Sequence, residues 1–376
     1  MAIQIKTPPM GWNHWNYFGW EHLDEKALLE TVDAMAEKGF RDAGYKYVCI
    51  DDTWMIRGRD ENGDLVADPR RFPSGMKYIG DYIHSKGMLF GLYAGAGVLT
   101  YANCEGSYGR ERQDAKKFAE WGVDLLKYDC GYLAPGTDVP HLFRRMGQAL
   151  RESGRDILFS GCYGHTEVVD WMRSVGANMW RLSGDINDSW ASVIRVAKNA
   201  MGVGHVAGAN GWNDPDMMVI GLEGEGWAGR VNGGNGCTLA EYQTHFALWC
   251  MLAAPLLMGH DVRTTKPEIA EILLNRELIE INQDSLGIQG YLLPAMSNGD
   301  LILAKPLDGG DIAFCLVNDT DARKKMILSW HYCGWEVTDT VYLRDCINHK
   351  DAGEFTCGTF VELDPHSCAV YRAKRV

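Results

Sequence analysis

The sequence predicts an α/β chain: a (β/α)8 TIM barrel followed by a C-terminal antiparallel β-sandwich domain. Three observations carry this. From about residue 10 to 285, short apolar runs alternate with amphipathic segments roughly eight times. Such alternation builds a parallel barrel, with an open doubly wound sheet as the second choice. Beyond about residue 285 the segments become short, several alternate in polarity, and turn residues (SNGD, DGGD, NDTD) separate them, the texture of antiparallel strands. Finally, 376 residues accommodate a barrel of about 250 plus a small appendage. The expected division is 1–285 and 286–376.

Taken in order, strands are expected at 10–15, 45–51, 88–94, 123–129, 157–162, 179–182, 205–209 and 256–258. Helices are expected at 25–38, 75–86, 110–121, 139–152, 167–175, 190–201, 239–253 and 267–275. The first helix is the clearest. DEKALLETVDAMAEKG repeats apolar residues at three- and four-residue spacing and ends at Gly39. In the C-terminal part, DLILAKPL, DIAFCLVND, KKMILSW, DTVYLRD and GTFVEL read as strands.

Composition narrows the function. A formal net charge of −13 argues against nucleic acid or an anionic membrane as partner. The opening MAIQIKTPPMGW lacks a charged segment followed by an apolar one, so no signal peptide is expected. The longest apolar stretch, 246–259, is too short to span a bilayer, and Pro255 interrupts it. Eleven cysteines include no CxxC pair, and Cys49, Cys250, Cys315 and Cys368 fall in apolar patterns that suit buried free thiols. A cytoplasmic location follows as the expectation. Thirteen Trp and sixteen Tyr supply flat faces suited to sugar C–H surfaces, although any single ring is more often core packing.

Acidic residues gather where barrel strands should end: Asp51 and Asp52 after YKYVCI, Asp129 after DLLKY, Asp185 after MWRLSG, then Asp214 and Asp216 in GWNDPDMM. Catalytic groups of such barrels sit at those ends. Converging carboxylates suit a divalent metal or glycosidic bond cleavage. Here Lys127 lies two residues before Asp129 and Arg181 four before Asp185. Cations compete with a metal and keep carboxylates ionised, so no metal and no cofactor are expected. A GxGxxG after the first strand is missing, which removes a nicotinamide-dependent route. Single strand-end aspartates such as Asp170 and Asp188 read as caps of the following helix.

Seven segments, in order, carry a resemblance: TPPMGWNHWNYFG, YKYVCIDDTW, RFPSGMKYIGDYIHSKGMLFGLYAGAG, WGVDLLKYDC, MWRLSGDI, GWNDPDMM and LAEYQTHFALWCMLAAPLLMG. The chain resembles glycoside hydrolase family 27, the α-galactosidase and α-N-acetylgalactosaminidase group, over nearly its whole length. The resemblance implies the barrel and β-domain, Asp129 as nucleophile and Asp185 as acid/base. It implies Asp51 and Asp52 on the galactose O4 and O6, and Trp15 against the ring. Tyr93, Lys127, Cys162, Tyr163, Arg181, Asp216 and Met217 take further ligand-contacting positions. His14 stands where Ser is usual and reads as a supporting residue, while Trp12 reads as packing. A double displacement retaining the α-configuration is implied, with carboxyls about 5–5.5 Å apart. For such an acid/base the pKa should be raised by burial and by negative Asp129, while the Arg181 cation pulls the other way and leaves the balance open.

The chain also departs from that family. Thr53 replaces the Cys of IDDCW, and NYFGWEHLDEK lacks the partner Cys. Cys130 sits one residue from the usual place of a second disulfide partner, where Gly131 stands, so a Cys104–Cys130 bond is not expected. After the fifth strand the common C-E-W is replaced by Cys162, Tyr163, Gly164 and His165, beside the sugar's position 2. Gly164 opens space there and Tyr163 closes it. The expected activity is therefore exo-acting α-galactosidase on oligosaccharides or glycoconjugates. α-N-Acetylgalactosaminidase and β-L-arabinopyranosidase are the alternatives on the same scaffold, the second disfavoured by the paired Asp51 and Asp52. A silent sugar-binding barrel is disfavoured by the two catalytic carboxylates. Oligomeric state stays open, an acidic barrel with an appended β-domain being often a homodimer.

Overall fold

A computed structural model describes residues 4–20, 22–294 and 300–376. Eight parallel strands follow one another around the barrel: Met10–Asn13, Tyr47–Ile50, Leu89–Gly95, Leu125–Asp129, Leu158–Cys162, Met179–Arg181, Trp212–Asp214 and Leu256–Met258. Each pairs with the next as far as the seventh, and the eighth pairs with the first. Met218 closes the seam between seventh and eighth. It bridges Met258 in parallel, its N–H donating to Leu257 O at 2.8 Å and its carbonyl accepting from Gly259 N at 3.1 Å.

Strand alternation sorts the side chains. In LLKYD, Leu126 and Tyr128 join the core beneath the outer helices, while Leu125 joins Cys49, Leu158, Met179, Trp212 and Leu257 inside the barrel. Lys127 and Asp129 share the face of Leu125 and therefore stand above that plug, towards the C-terminal rim.

Two expectations fail. The seventh strand is Trp212–Asp214, whereas Gly204–Val206 is a 3-10 turn. The true strand lacks an apolar run because its middle residue, Asn213, is polar and satisfied on the outer face of the barrel wall, opposite inward-facing Trp212. Asn213 accepts from Trp180 Nε1 at 2.9 Å and donates to Val203 O and Gln289 Oε1, both at 2.9 Å. The expected helix at 167–175 is two 3-10 turns, Thr166–Asp170 and Met172–Val175. A hairpin, Met55–Arg59 with Leu65–Ala67, and a helix, Arg276–Asn282, were not anticipated.

The C-terminal strands form a six-stranded sheet in the order Tyr291–Leu292, Leu301–Pro306, Ile312–Val317, Cys368–Arg375, Thr340–Asp345 and Lys350–Thr356. A second pair joins Lys324–Leu328 to Thr359–Leu363. Between them lie Phe314, Leu316, Met326, Leu328, Trp330 and Leu343. The other face of the large sheet, with Leu301, Leu303, Ala313, Cys315 and Val317, belongs to the barrel's own core cluster. That double coverage explains why Ile312–Val317 is apolar throughout. No helix among the described residues is long and apolar enough to cross a membrane. All eleven cysteines are unpaired, Cys104 and Cys130 included.

The helix Leu239–Met251 lies under that sheet and is buried along most of its length. His245 sits in its middle, with no partner for either ring nitrogen and its ring 4.0 Å from Trp249. Burial lowers its pKa to about 3. The unfolded chain then binds this proton below about pH 6.5 and the folded chain does not, so stability present above 6.5 is lost as pH falls towards 3. His245→Leu should reduce the loss of unfolding free energy between pH 6.5 and 4 by roughly 3 kcal/mol. Urea titrations at the two pH values measure it, and parallel losses in both proteins would contradict it.

Candidate active site

The strand tips deliver their carboxylates to one place. Asp51, two residues beyond inward-facing Cys49, is held by Lys127 Nζ at 2.7 Å and Asn13 Nδ2 at 2.6 Å. Its backbone N–H donates to His14 Nδ1 at 2.9 Å. Burial pushes the Asp51 pKa up, but Lys127 and His14 outweigh it and the net shift is downwards. His14 itself is lowered to about 4, chiefly by burial, so it stands neutral beneath the site. Asp52 accepts from Thr53 N at 2.7 Å and Ala102 N at 3.2 Å, yet burial raises it to about 6.

Asp129 accepts from Cys130 N at 2.8 Å and is approached by Tyr93 OH at 3.4 Å. Burial raises its pKa, against the pull of the Lys127 ammonium and the Cys130 amide. Asp185 is half exposed and pairs with Arg181 Nη2 at 2.7 Å, and the same nitrogen lies 2.8 Å from Asp216. Burial pushes Asp185 up, but Arg181 and Lys127 win and the net shift is downwards. In the sugar-free site the balance that the sequence leaves open thus falls to Arg181, a cation supplied by the preceding strand that water does not screen away. Asp216 is raised to about 7 by burial and by the charges of Asp185 and Asp214, against Arg181. Its backbone has φ of 146°, secured by carboxylate bonds from Ile186 N at 2.8 Å and Met217 N at 2.7 Å.

Asp51, Asp52, Tyr93, Lys127, Asp129, Arg181, Asp185, Asp216, Met217 and Trp15 all border one pocket of about 150 Å³. That is well below the ~300 Å³ of drug-sized sites and suits a single sugar ring. Cys162 and Tyr163 do not border it. Cys162 is buried, within range of the Asp129, Arg181 and Lys127 charges. The Tyr163 ring packs 4.8 Å from His165 and 6.2 Å from Trp171. Trp12 is packing, its Nε1 donating to His260 O at 2.8 Å.

Sequence reasoning missed four bordering residues: Asn16, Trp20, Tyr101 and Trp227. Trp227 arrives on the glycine-rich loop after the seventh strand, whose turns carry no periodicity. Asp188 fixes that loop and is not a helix cap. Ser189 caps the helix Trp190–Met201 through Ser192 N, whereas the Asp188 carboxylate accepts from Gly224 N at 2.7 Å, Cys237 N at 3.2 Å and Tyr242 OH. Asp170 caps nothing either, since the turn after it shows no side-chain cap.

A sequence profile described as Alpha galactosidase A matches residues 7–284, and one described as Alpha galactosidase C-terminal beta sandwich domain matches 300–373. An alpha-galactosidase of Cyamopsis tetragonoloba is 41% identical over 370 residues, which cover 97% of this chain and 86% of the relative. Alpha-galactosidase I of Mortierella vinacea superposes with a TM-score of 0.90 at 31% identity, over 98% of this chain and 97% of that one. An alpha-galactosidase of Saccharomyces cerevisiae, solved with raffinose, gives 0.88 at 28% identity over 99% and 98%. The chain belongs to the alpha-galactosidase family of glycoside hydrolases, family 27.

Proposed function

We propose that the chain hydrolyses terminal α-D-galactosyl residues with retention of configuration, Asp129 acting as nucleophile and Asp185 as acid/base. The observation that carries this reading is a single hexose-sized pocket bordered by both carboxylates, with Asp51 and Asp52 beside them. Asp129 attacks the anomeric carbon as the bond to the aglycone oxygen breaks, and Asp185 gives its proton to that oxygen. Asp185 then takes a proton from water as the water oxygen attacks the same carbon and frees Asp129.

The resting charges fit once the sugar is considered. Arg181 links Asp185 to Asp216, so their protons belong to the pair. A sugar covering half-exposed Asp185 removes its water, which favours the neutral acid there. The Lys127 ammonium meanwhile favours charge on Asp51, whose pKa falls, and opposes the burial that raises Asp129. Short acceptors at Asp51 and Asp52 discriminate among epimers because a mismatched hydroxyl leaves a buried carboxylate unpaired.

One observation favours a second reading at position 2. Tyr163 turns towards Trp171 instead of the pocket, and Gly164 brings no side chain, which leaves room for an acetamido group. A reducing compartment suits the eleven unpaired cysteines.

The test compares kcat/KM on p-nitrophenyl α-galactoside, α-N-acetylgalactosaminide and β-L-arabinopyranoside, with NMR of the first-formed anomer. The galactoside should lead by about tenfold or more and α-galactose should appear first. A β-anomer would sink the double displacement, and inertness towards all three would sink the enzyme.

A further inference from the structure

Beside the catalytic pocket lies a second cavity of about 530 Å³, between the loop after the first strand and the glycine-rich loop that carries Trp227. Trp20 and Trp227 border both cavities, so the two adjoin. Trp15 connects the aromatic surface, its ring 5.5 Å from Trp227 and stacked 6.5 Å from Trp20 at 28°. We propose that this cavity is a subsite for the leaving group, built to hold a hexose aglycone against Trp20 and Trp227.

The chemistry of the walls selects that occupant. Most of the lining is apolar, from Tyr17, Phe18, Trp20, Trp227 and Val231. Glu225 and Arg230 form an ion pair at its edge. A hexose presents a C–H face to an aromatic ring and hydroxyls at its perimeter, which matches an indole wall with a paired carboxylate and guanidinium. The pair is neutral overall and attracts no net charge. The aglycone of a bound galactoside projects out of the small pocket, and this cavity adjoins it.

The wall is also set in place before any ligand arrives, which lowers the ordering cost of binding. Gly226 has φ of 69°, and a Cβ there would lie 2.6 Å from the Tyr17 Cα, so the two loops touch at backbone distance. Asp188 anchors the base of the loop through Gly224 N and Cys237 N, and its carbonyl accepts from Asn235 N at 3.1 Å and Gly236 N at 2.9 Å. Trp227–Val231 is a π-helical turn, an uncommon geometry that concentrates at working sites.

This inference rests on the galactosidase reading above, and one experiment separates the two. kcat/KM is measured on raffinose, with its sugar aglycone, and on α-galactosyl fluoride, which has none. The proteins are wild type, the double variant Glu225→Ala/Arg230→Ala, and Trp227→Ala. The double variant removes groups outside the catalytic pocket, so its fluoride value should match wild type while its raffinose value falls about threefold or more. For Trp227→Ala the raffinose-to-fluoride ratio should fall about tenfold or more. An unchanged ratio in both variants overturns the subsite, as does a wild type that cleaves the fluoride but not raffinose. A wild type inert towards the fluoride overturns the galactosidase reading itself.

Discussion

Asp129→Asn should lower turnover by about 10⁴-fold or more while galactose still binds. The amide keeps the size of the carboxylate but cannot form the glycosyl ester, and the bond from Cys130 N can persist to the remaining carbonyl oxygen. Asp129→Gly goes further by opening a space. Azide entering that space, with an activated substrate, should attack the face the carboxylate used and yield β-galactosyl azide. Hydrolysis by Asp129→Asn at the wild-type rate would falsify the nucleophile assignment. So would an α-azide from the glycine variant.

Asp185→Ala should produce a different pattern. Without the acid, kcat/KM on raffinose should fall by about 10²–10⁴-fold. Cleavage of p-nitrophenyl α-galactoside should suffer far less in its first step, because that leaving group departs without a proton. Azide should now attack the glycosyl-enzyme and give α-galactosyl azide, since Asp129 is intact. Equal losses on both substrates, or a β-azide, would assign Asp185 another role. Arg181 loses one of its two carboxylate partners in this variant, leaving Asp216 alone with it. The Asp216 pKa of about 7 should then drop, because a like charge that raises it has gone. A carboxyl-carbon NMR titration of Asp216 in the variant should read that drop, and an unchanged value would contradict the coupling.

The parts of this site legible in the sequence share one property: local pattern fixes them. LLKYD puts Lys127 and Asp129 on one face of a strand by alternation alone, and YKYVCIDD does the same for Asp51. The seventh strand was misplaced because its middle residue is polar and buried behind the barrel wall, where Asn213 finds a partner more than seventy positions away at Gln289. Periodicity records burial of apolar groups and says nothing of polar groups satisfied at a distance. Trp227 and Asp188 were missed for a related reason. A glycine-rich turn has no period, and an aspartate before a helix looks the same whether it caps that helix or pins a loop forty residues on. The sign of the Asp185 shift was illegible too, since it depends on how water, Arg181 and Asp216 divide one charge.

The large C-terminal sheet gives one face to its own lobe and the other to the barrel's cluster, through Leu301, Leu303, Ala313 and Val317. Neither part therefore owns a finished exterior. Cutting the chain near residue 290 would strip a greasy seam on both fragments, and each should precipitate or cling to its counterpart when expressed separately. Mixing the two should restore solubility, so the appended lobe works as a stopper for the enzyme and not as a detachable passenger.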